Sequence, residues 1–458
     1  MNQTYNLNLM KKTFLVFLLS MLILSVSAQE KKIKTGWKFG GALPAITYDS
    51  DLGLEYGALV DFYNYGDGSK YPDFIDHTYT EISRYTKGSG IYRFMFESRH
   101  IIPGVQWISD LSYLPDKAAT FYGFNGYESV YNKDWMDDKL SSDIYRSRMY
   151  YRFQKNQFRF KNDFQGKLSG DHFKWSAGFA FQDFTVSSVN IDKLNKGKSD
   201  KLPSVTDEPG LFEQYLSNNI IPADEAKGGW INTVKGGLTW DSRDNRPNPM
   251  KGIWTEIGIE AAPKFLGNNW GFSKLYIIHR QYFTLIEKDL SLVYRIGYQA
   301  TISGHTPFFY QSQVITSRLT GATSEGLGGA KTLRGVLRDR VVGDAFVMGN
   351  IELRWKPLYF RFLKQDCYLG LNAFYDFGRV TKDIKLPDNL ENTFTNPVHP
   401  TDTYSQYFKP GTEKMHQSAG MSVMLAMNQV FVVAIDCGKA FNVQDGNIGF
   451  SIGLNYLF

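Results

Sequence analysis

The sequence predicts an all-β protein, a 16-stranded antiparallel transmembrane β-barrel made as a precursor with a cleaved signal peptide. Three observations predict it. Strand-like segments alternate apolar and polar residues with period two, as a wall between lipid and water requires. Aromatic residues make up 16% of the 458, alongside 42 glycines. The one long apolar stretch lies at the N-terminus, so no later segment approaches the roughly 20 apolar residues of a spanning helix. With 43% hydrophobic residues and 2 Cys, a disordered chain and a disulfide scaffold are both excluded. The formal charge of +5, spread along the chain, argues against a nucleic-acid binder.

The first element is the apolar run from Phe14 to Ala28, which follows Lys11 and Lys12 and ends in Ser25-Val26-Ser27-Ala28-Gln29. A basic region, an apolar core and a small-residue cleavage site make residues 1–28 a signal peptide. An uncleaved anchor is the competing reading, but the run is short for a span and ends in a processing site. Residues 29–43 are then a short N-terminal segment and 44–458 the barrel. An exported chain of this kind is either a soluble sandwich or an outer-membrane barrel. A sandwich gives no reason for aromatic residues at strand ends or for a chain ending on Phe458.

The strands follow in order. Segments near 44–49, 53–65, 78–86, 90–101, 104–114, 143–168, 172–187, 230–242, 252–262, 271–286 and 289–303 precede the clearest ones. In Gly349 to Trp355, Ile351, Leu353 and Trp355 oppose Asn350, Glu352 and Arg354. From Leu369 to Phe377, the odd positions are apolar and oppose Gly370, Asn372, Phe374 and Asp376. Segments near 415–427 and 429–439 follow. In the last nine residues Phe450, Ile452, Leu454, Tyr456 and Phe458 share a face, with Leu457 the exception. That makes sixteen. The apolar phase of 143–168 flips at Gln154-Lys155-Asn156-Gln157, which reads as a bulge or a hairpin turn; an even strand number with both termini in the periplasm favours the bulge. With that orientation the long connections, 115–142, 188–229, 304–342 and 380–414, are extracellular. The turns at 102–103, 243–251 and Met427-Asn428 are periplasmic. The 66–77 connection is long for its side.

Two motifs invite chemistry. Gly237 to Asp244, followed by Pro249 and Gly252, is a strand entering a tight charged turn and leaving it. Asp241, Arg243 and Asp244 resemble a carboxylate pair, but with no His or nucleophile beside them they read as a salt-bridged turn. Gly328-Gly329-Ala330-Lys331-Thr332 resembles a phosphate loop, yet Ala330 replaces the required Gly and no strand–helix context surrounds it. The seven His show no metal-ligand spacing, and no Ser–His trio can be named, so neither metal nor cofactor nor enzymatic activity is expected. Cys367 and Cys437 begin and end upward strands, near opposite rims, and are expected to be free, buried thiols.

The charged turn from Gly237 to Gly252, Leu333-Arg334-Gly335-Val336, Asn350-Ile351-Glu352-Leu353-Arg354, Phe374-Tyr375-Asp376-Phe377-Gly378 and the aromatic-terminated last strand occur in a telling order. In that order the chain resembles the barrel of the BamA/TamA outer-membrane assembly superfamily, also called the bacterial surface antigen family. The resemblance implies a 16-stranded barrel whose sixth extracellular loop folds into the lumen, setting Arg334 and Gly335 against wall carboxylates. Strand parity puts Glu352 and Asp376 on the polar face of neighbouring strands, and a guanidinium fork can serve both. The resemblance also implies a weakly paired seam between first and last strands, with Gly453, Tyr456 and Phe458 on the seam and terminal strand. The short first strand suits such a seam. Relatives that handle clients carry periplasmic POTRA domains, for which the segment before the first strand leaves no room.

Two functions follow from different classes. One is insertion or assembly of outer-membrane proteins through the seam, with outer-membrane lipids, client barrels and other assembly subunits as partners. The other is a plugged channel or porin for small solutes. Both place the chain in the outer membrane of a Gram-negative bacterium.

Overall fold

The structure, a computed structural model, describes residues 33–458 except 70, 72, 247, 318–320, 324–325, 363–364, 428–430 and 455. The signal peptide lies outside the described residues. Sixteen strands close an antiparallel barrel in sequential order. They are β1 (Trp37–Asp49), β2 (Gly53–Asn64), β3 (Asp76–Tyr85), β4 (Gly90–Ser98), β5 (Val105–Thr120), β6 (Arg152–Ser169), β7 (Phe173–Ser187), β8 (Gly228–Asp241), β9 (Gly252–Ala262), β10 (Phe272–Ile286) and β11 (Leu290–Gly304). After a small ribbon of β12 (Val314–Ser317) and β13 (Gly321–Thr323), the wall resumes with β14 (Ala345–Phe362), β15 (Gln365–Lys382), β16 (His416–Met427), β17 (Phe431–Ala440) and β18 (Ile448–Leu454). No helix among the described residues is long and apolar enough to cross a membrane.

Alternation dictates the wall. On β10, Lys274, Tyr276, Ile278, Arg280 and Tyr282 are buried inside, while on β14 Ile351, Leu353 and Trp355 are exposed outside and Asn350, Glu352 and Arg354 buried. The long connections, 121–151, 188–227, 305–344 and 383–415, all lie at one end. They fold over the mouth around an aromatic core that includes Phe121, Trp135, Tyr151, Phe212, Phe308 and Phe408.

Several expected boundaries move. β1 begins at Trp37, so residues 37–43 belong to the barrel rather than to a separate N-terminal segment, and the first strand is not short. The expected strand 143–168 is a single strand that starts only at Arg152. Its apparent phase flip is neither turn nor bulge within β6. Phe153 shares the inward face with Lys155, Gln157 and Arg159, because above the membrane the interior turns from polar to aromatic. The register break lies on the partner, between Asp116 and Ala119 of β5. β14 and β15 run well past their expected ends. The last strand stops at Leu454, so Tyr456 and Phe458 are not part of it. Cys367 is buried and free, whereas Cys437 is free and exposed, since it faces outward on β17.

Candidate functional site

The interior of the barrel holds a loop fastened to one wall and a seam that is scarcely paired. The loop is 305–344. Its Leu327, Leu333, Val336 and Val341 pack with Val314, Phe346, Met348 and Val380 in a small apolar core. That packing presents Arg334, 3% exposed, to the lumen wall. Its backbone N–H and Nε both donate to Asp376 Oδ2, at 3.0 and 2.8 Å, and one terminal nitrogen donates to Asp376 Oδ1 at 2.8 Å. The other terminal nitrogen stands 2.7 Å from Glu352 Oε1, an ion pair too poorly angled to count as a hydrogen bond. Asp436 of β17 is further away, at 3.6 Å. The guanidinium carbon lies 3.6 Å from the centre of the Phe374 ring, adding a cation–π contact. Asp376 is thus the principal partner.

Residues beside the expected ones complete the fastening. Arg295 of β11 donates to the Lys331 carbonyl at 3.1 Å, and the Asn350 amide of β14 donates to the Thr332 carbonyl at 2.7 Å. Arg295 also holds Asn350 by a 2.8 Å bond from Nε. At the outer end Arg340, fully buried, donates to the carbonyls of Gln444, Gly126 and Ser129. Asn350 and Arg354 belong to a sequence motif, whereas Arg295, Arg340 and Asp436 carry no motif, although strand parity puts Asp436 inside beside Ala434 and Gly438.

Gly335 has a different task. At φ +94° it lies where a Cβ would come within 2.6 Å of the Gly438 backbone, and a Cβ on Gly449 would come within 2.9 Å of Gly335 itself. Gly438 and Gly449 face each other across β17 and β18. The loop tip therefore rests bare on the last two strands, with no side chain between.

The seam is the contrast. β1 pairs with β2 from Trp37↔Asn64 to Asp49↔Gly53, yet with β18 only at Tyr48↔Ile452 and Asp49↔Ser451 among the described residues. One more backbone bond, from Ser50 to the Phe450 carbonyl at 2.9 Å, closes its outer end. In the adjoining turn, burial and the neighbouring Asp49 push the Asp51 carboxyl up to about 6, against the pull of Arg152, Arg338 and Lys87. Pro44, which cannot donate to a ladder, sits in the part of β1 without a partner on this side, as an edge strand permits. Behind the seam is a cavity of about 240 Å³, lined by Thr47, Glu55, Lys331, Asp436, Gly453 and Tyr456. Around Gly453 there is open space.

Beyond Leu454 the chain turns into the barrel. The Phe458 ring packs with Tyr282 and Val293, and its carbonyl accepts a 2.9 Å bond from Arg354. Arg354 also lies over the Tyr456 ring at 4.4 Å and is held to Glu352 by a 2.8 Å bond. The Tyr456 hydroxyl meets that of Tyr368 at 3.0 Å. The terminal aromatics are therefore inside, not facing lipid.

The charged turn at 242–251 reaches the same place. Arg243 forks onto Asp241 at 2.8 and 3.0 Å, and Asp244 accepts the backbone N–H groups of Met250 and Lys251. Gly252, at φ +111°, passes so close to the Ser242 carbonyl that a Cβ would come within 2.3 Å of it. Gly237 and Gly258 leave room for the Tyr276 hydroxyl. Pro249 is buried, and Asn248 reaches across to donate to Tyr368 at 3.0 Å. Arg243 and Arg280 sandwich the Trp254 ring at 3.8 and 3.7 Å. Turn and tail thus meet at the Tyr368 hydroxyl, at the periplasmic end of the barrel.

The family model for the Omp85 superfamily domain matches residues 123–456. The chain belongs to the Omp85 superfamily. Among solved structures it is similar to BamA from Haemophilus ducreyi lacking POTRA domains 1–3, with 12% identity and a TM-score of 0.52, covering 92% of this chain and 71% of that one. It is also similar to CdiB from Escherichia coli, with 9% identity and a TM-score of 0.52, covering 94% of this chain and 64% of that one. The chain thus spans less than two thirds of CdiB. No curated protein sequence matches it. As an Omp85-type barrel it resides in the outer membrane of a Gram-negative bacterium.

Proposed function

We propose that this Omp85 barrel takes part in inserting or assembling proteins in the outer membrane, offering the unpaired edge of β1 to an incoming strand. The observation that carries the reading is the seam, two residue pairs long among the described residues. Backbone groups facing hydrocarbon without a partner cost several kcal/mol each, so an open β1 edge at membrane depth invites another strand to add to it. A barrel that merely enclosed a pore would gain by closing that edge.

The alternative, a porin for small solutes, requires a clear lumen. Loop 305–344 is fastened to the wall across the interior, aromatic loops pack over the outer mouth, and the turn and tail fold inward at the inner end. The chemistry assigned to the chain is strand exchange without catalysis, cofactor or metal. The test is reconstitution of the purified barrel in liposomes with an unfolded outer-membrane protein, together with conductance in planar bilayers. Faster folding of the client and negligible conductance are expected. Steady large conductance with no acceleration supports the porin.

A further inference from the structure

We propose that the outer wall carries a binding site for a phosphorylated glycolipid of the outer leaflet, in a notch over β2 to β5 at the extracellular rim. The β3–β4 turn stops at residues 86–89, while β5 continues to Thr120. The β4–β5 ladder ends at Tyr92↔Tyr113, beyond which only the isolated bridge Ser89↔Asp116 joins the two. Between the short hairpin and the tall strand lies a cavity of about 550 Å³.

Its lining has the chemistry of a headgroup site. The rings of Tyr56, Tyr92 and Tyr113 face outward, the last two with centres 6.1 Å apart. Tyrosine suits the membrane–water boundary, with its ring toward acyl chains and its hydroxyl toward headgroups. Arg84 and Lys117 stand at the rim, both exposed, and no acidic residue lines the notch. Arg84 Nε donates to the Tyr92 hydroxyl at 2.8 Å, which holds the guanidinium at the notch. Among the described residues neither Arg84 nor Lys117 has an ion-pair partner, whereas the wall's Arg93, Arg159, Arg280 and Arg354 are tied to carboxylates.

Register continues the site downward. Ile82 pairs with Tyr92 and stands beside it, and the paired Phe94 and Leu111 lie one step below Tyr92 and Tyr113, so exposed apolar side chains continue the outward face toward the membrane. A ligand with phosphate at the top and acyl chains beneath matches this order: a guanidinium fork and an ammonium for the phosphate, aromatic and aliphatic wall for the chains.

The test is native mass spectrometry of the full barrel released from nanodiscs of phosphatidylethanolamine with lipopolysaccharide, beside discs with the same lipopolysaccharide dephosphorylated. Wild type is expected to retain the phosphorylated glycolipid, the doubly substituted Arg84→Gln/Lys117→Gln barrel at least fivefold less. Millimolar inorganic phosphate should not displace it. Equal retention of the dephosphorylated lipid by wild type overturns the proposal without any variant. So does equal retention by a double variant that still runs as a folded barrel on unboiled gels, or displacement by free phosphate.

Discussion

The β14–β15 wall and the β18–β1 seam are built from strands of the same kind and hold very differently. β14 and β15 share sixteen residue pairs; β1 and β18 share two among those described. The loop respects the difference. Its charge-bearing Arg334 is bound at 2.7–2.8 Å to Asp376 and Glu352 on the strong wall and stands 3.6 Å from Asp436 of β17, while the tip meets Gly438 and Gly449 through the bare backbone of Gly335. Directional bonds resist displacement, whereas a glycine contact can slide. On the proposed function the plug stays in place while the seam parts, so that blocking the lumen and admitting a strand fall to different contacts.

The largest expected effect comes from removing the loop's anchor. Arg334→Ala leaves Asp376 buried without its partner, a cost on the order of 3–5 kcal/mol if fully buried and less in a hydrated lumen. Protease cleavage between Gly321 and Arg340 in intact cells should then rise, in a barrel still shifted on unboiled gels. Asp376→Asn should approach that effect and Glu352→Gln fall well short of it, because Asp376 accepts three hydrogen bonds and Glu352 an ill-angled contact. Arg334→Lys should rescue partly, an ammonium lacking the fork.

Next is Gly335→Ala, which combines a positive φ with a Cβ 2.6 Å from the Gly438 backbone and should cost about 1–3 kcal/mol. It should lift the tip from β17 and β18 yet leave Arg334 bound, so cleavage rises less than in Arg334→Ala. Equal cleavage in the two variants breaks the distinction between anchor and contact. Arg354→Ala tests the inner end. It should release the terminal residues, and maleimide should label a Leu457→Cys barrel several-fold faster from the periplasmic side, with the loop protected as before.

The smallest effect is pH-dependent and lies in the outer cap. The hydrogen bond to Glu225, with burial opposing and the carboxylate's charge adding, holds the His305 pKa above its ordinary 6.5. Its contribution is complete below that ordinary value and is lost as pH rises through the higher folded value. Glu225 also accepts the Phe308 N–H at 2.7 Å, so protection of that amide against exchange should fall modestly on raising the pH, while that of β14 and β15 should not.

The wall was legible where polar residues on its inside alternate with apolar ones toward lipid, as on β14 and β15. Glu352 and Asp376 could be placed inside by parity, and Arg334 by its motif. The rule failed where that contrast ends. Phe153 and Tyr151 are aromatic and inside, since the loops above the membrane build an apolar core there. Phe458 continues the alternation of β18 in sequence but not in space, because Arg354 and the surrounding apolar lining offer it a better place than lipid beside an unpaired strand. Arg295 and Arg340 went unseen because they bind carbonyls, which leave no mark in sequence. The length of the β1–β18 pairing is a long-range property: Gly453 and the resemblance pointed to a weak seam, but no residue pattern measures how few pairs close it.

The central claim is that the seam must part while the wall stays intact, and a pair of tethers tests it most directly. With Cys367→Ser and Cys437→Ser as background, Tyr48→Cys with Ile452→Cys ties the seam, and Ile351→Cys with Tyr375→Cys ties the wall at an equivalent cross-strand pair. The measurement is client folding by reconstituted barrels under oxidising and then reducing conditions. The seam tether should abolish acceleration until reduced, and the wall tether should leave it unchanged. Full acceleration with the seam verified as crosslinked would contradict the account.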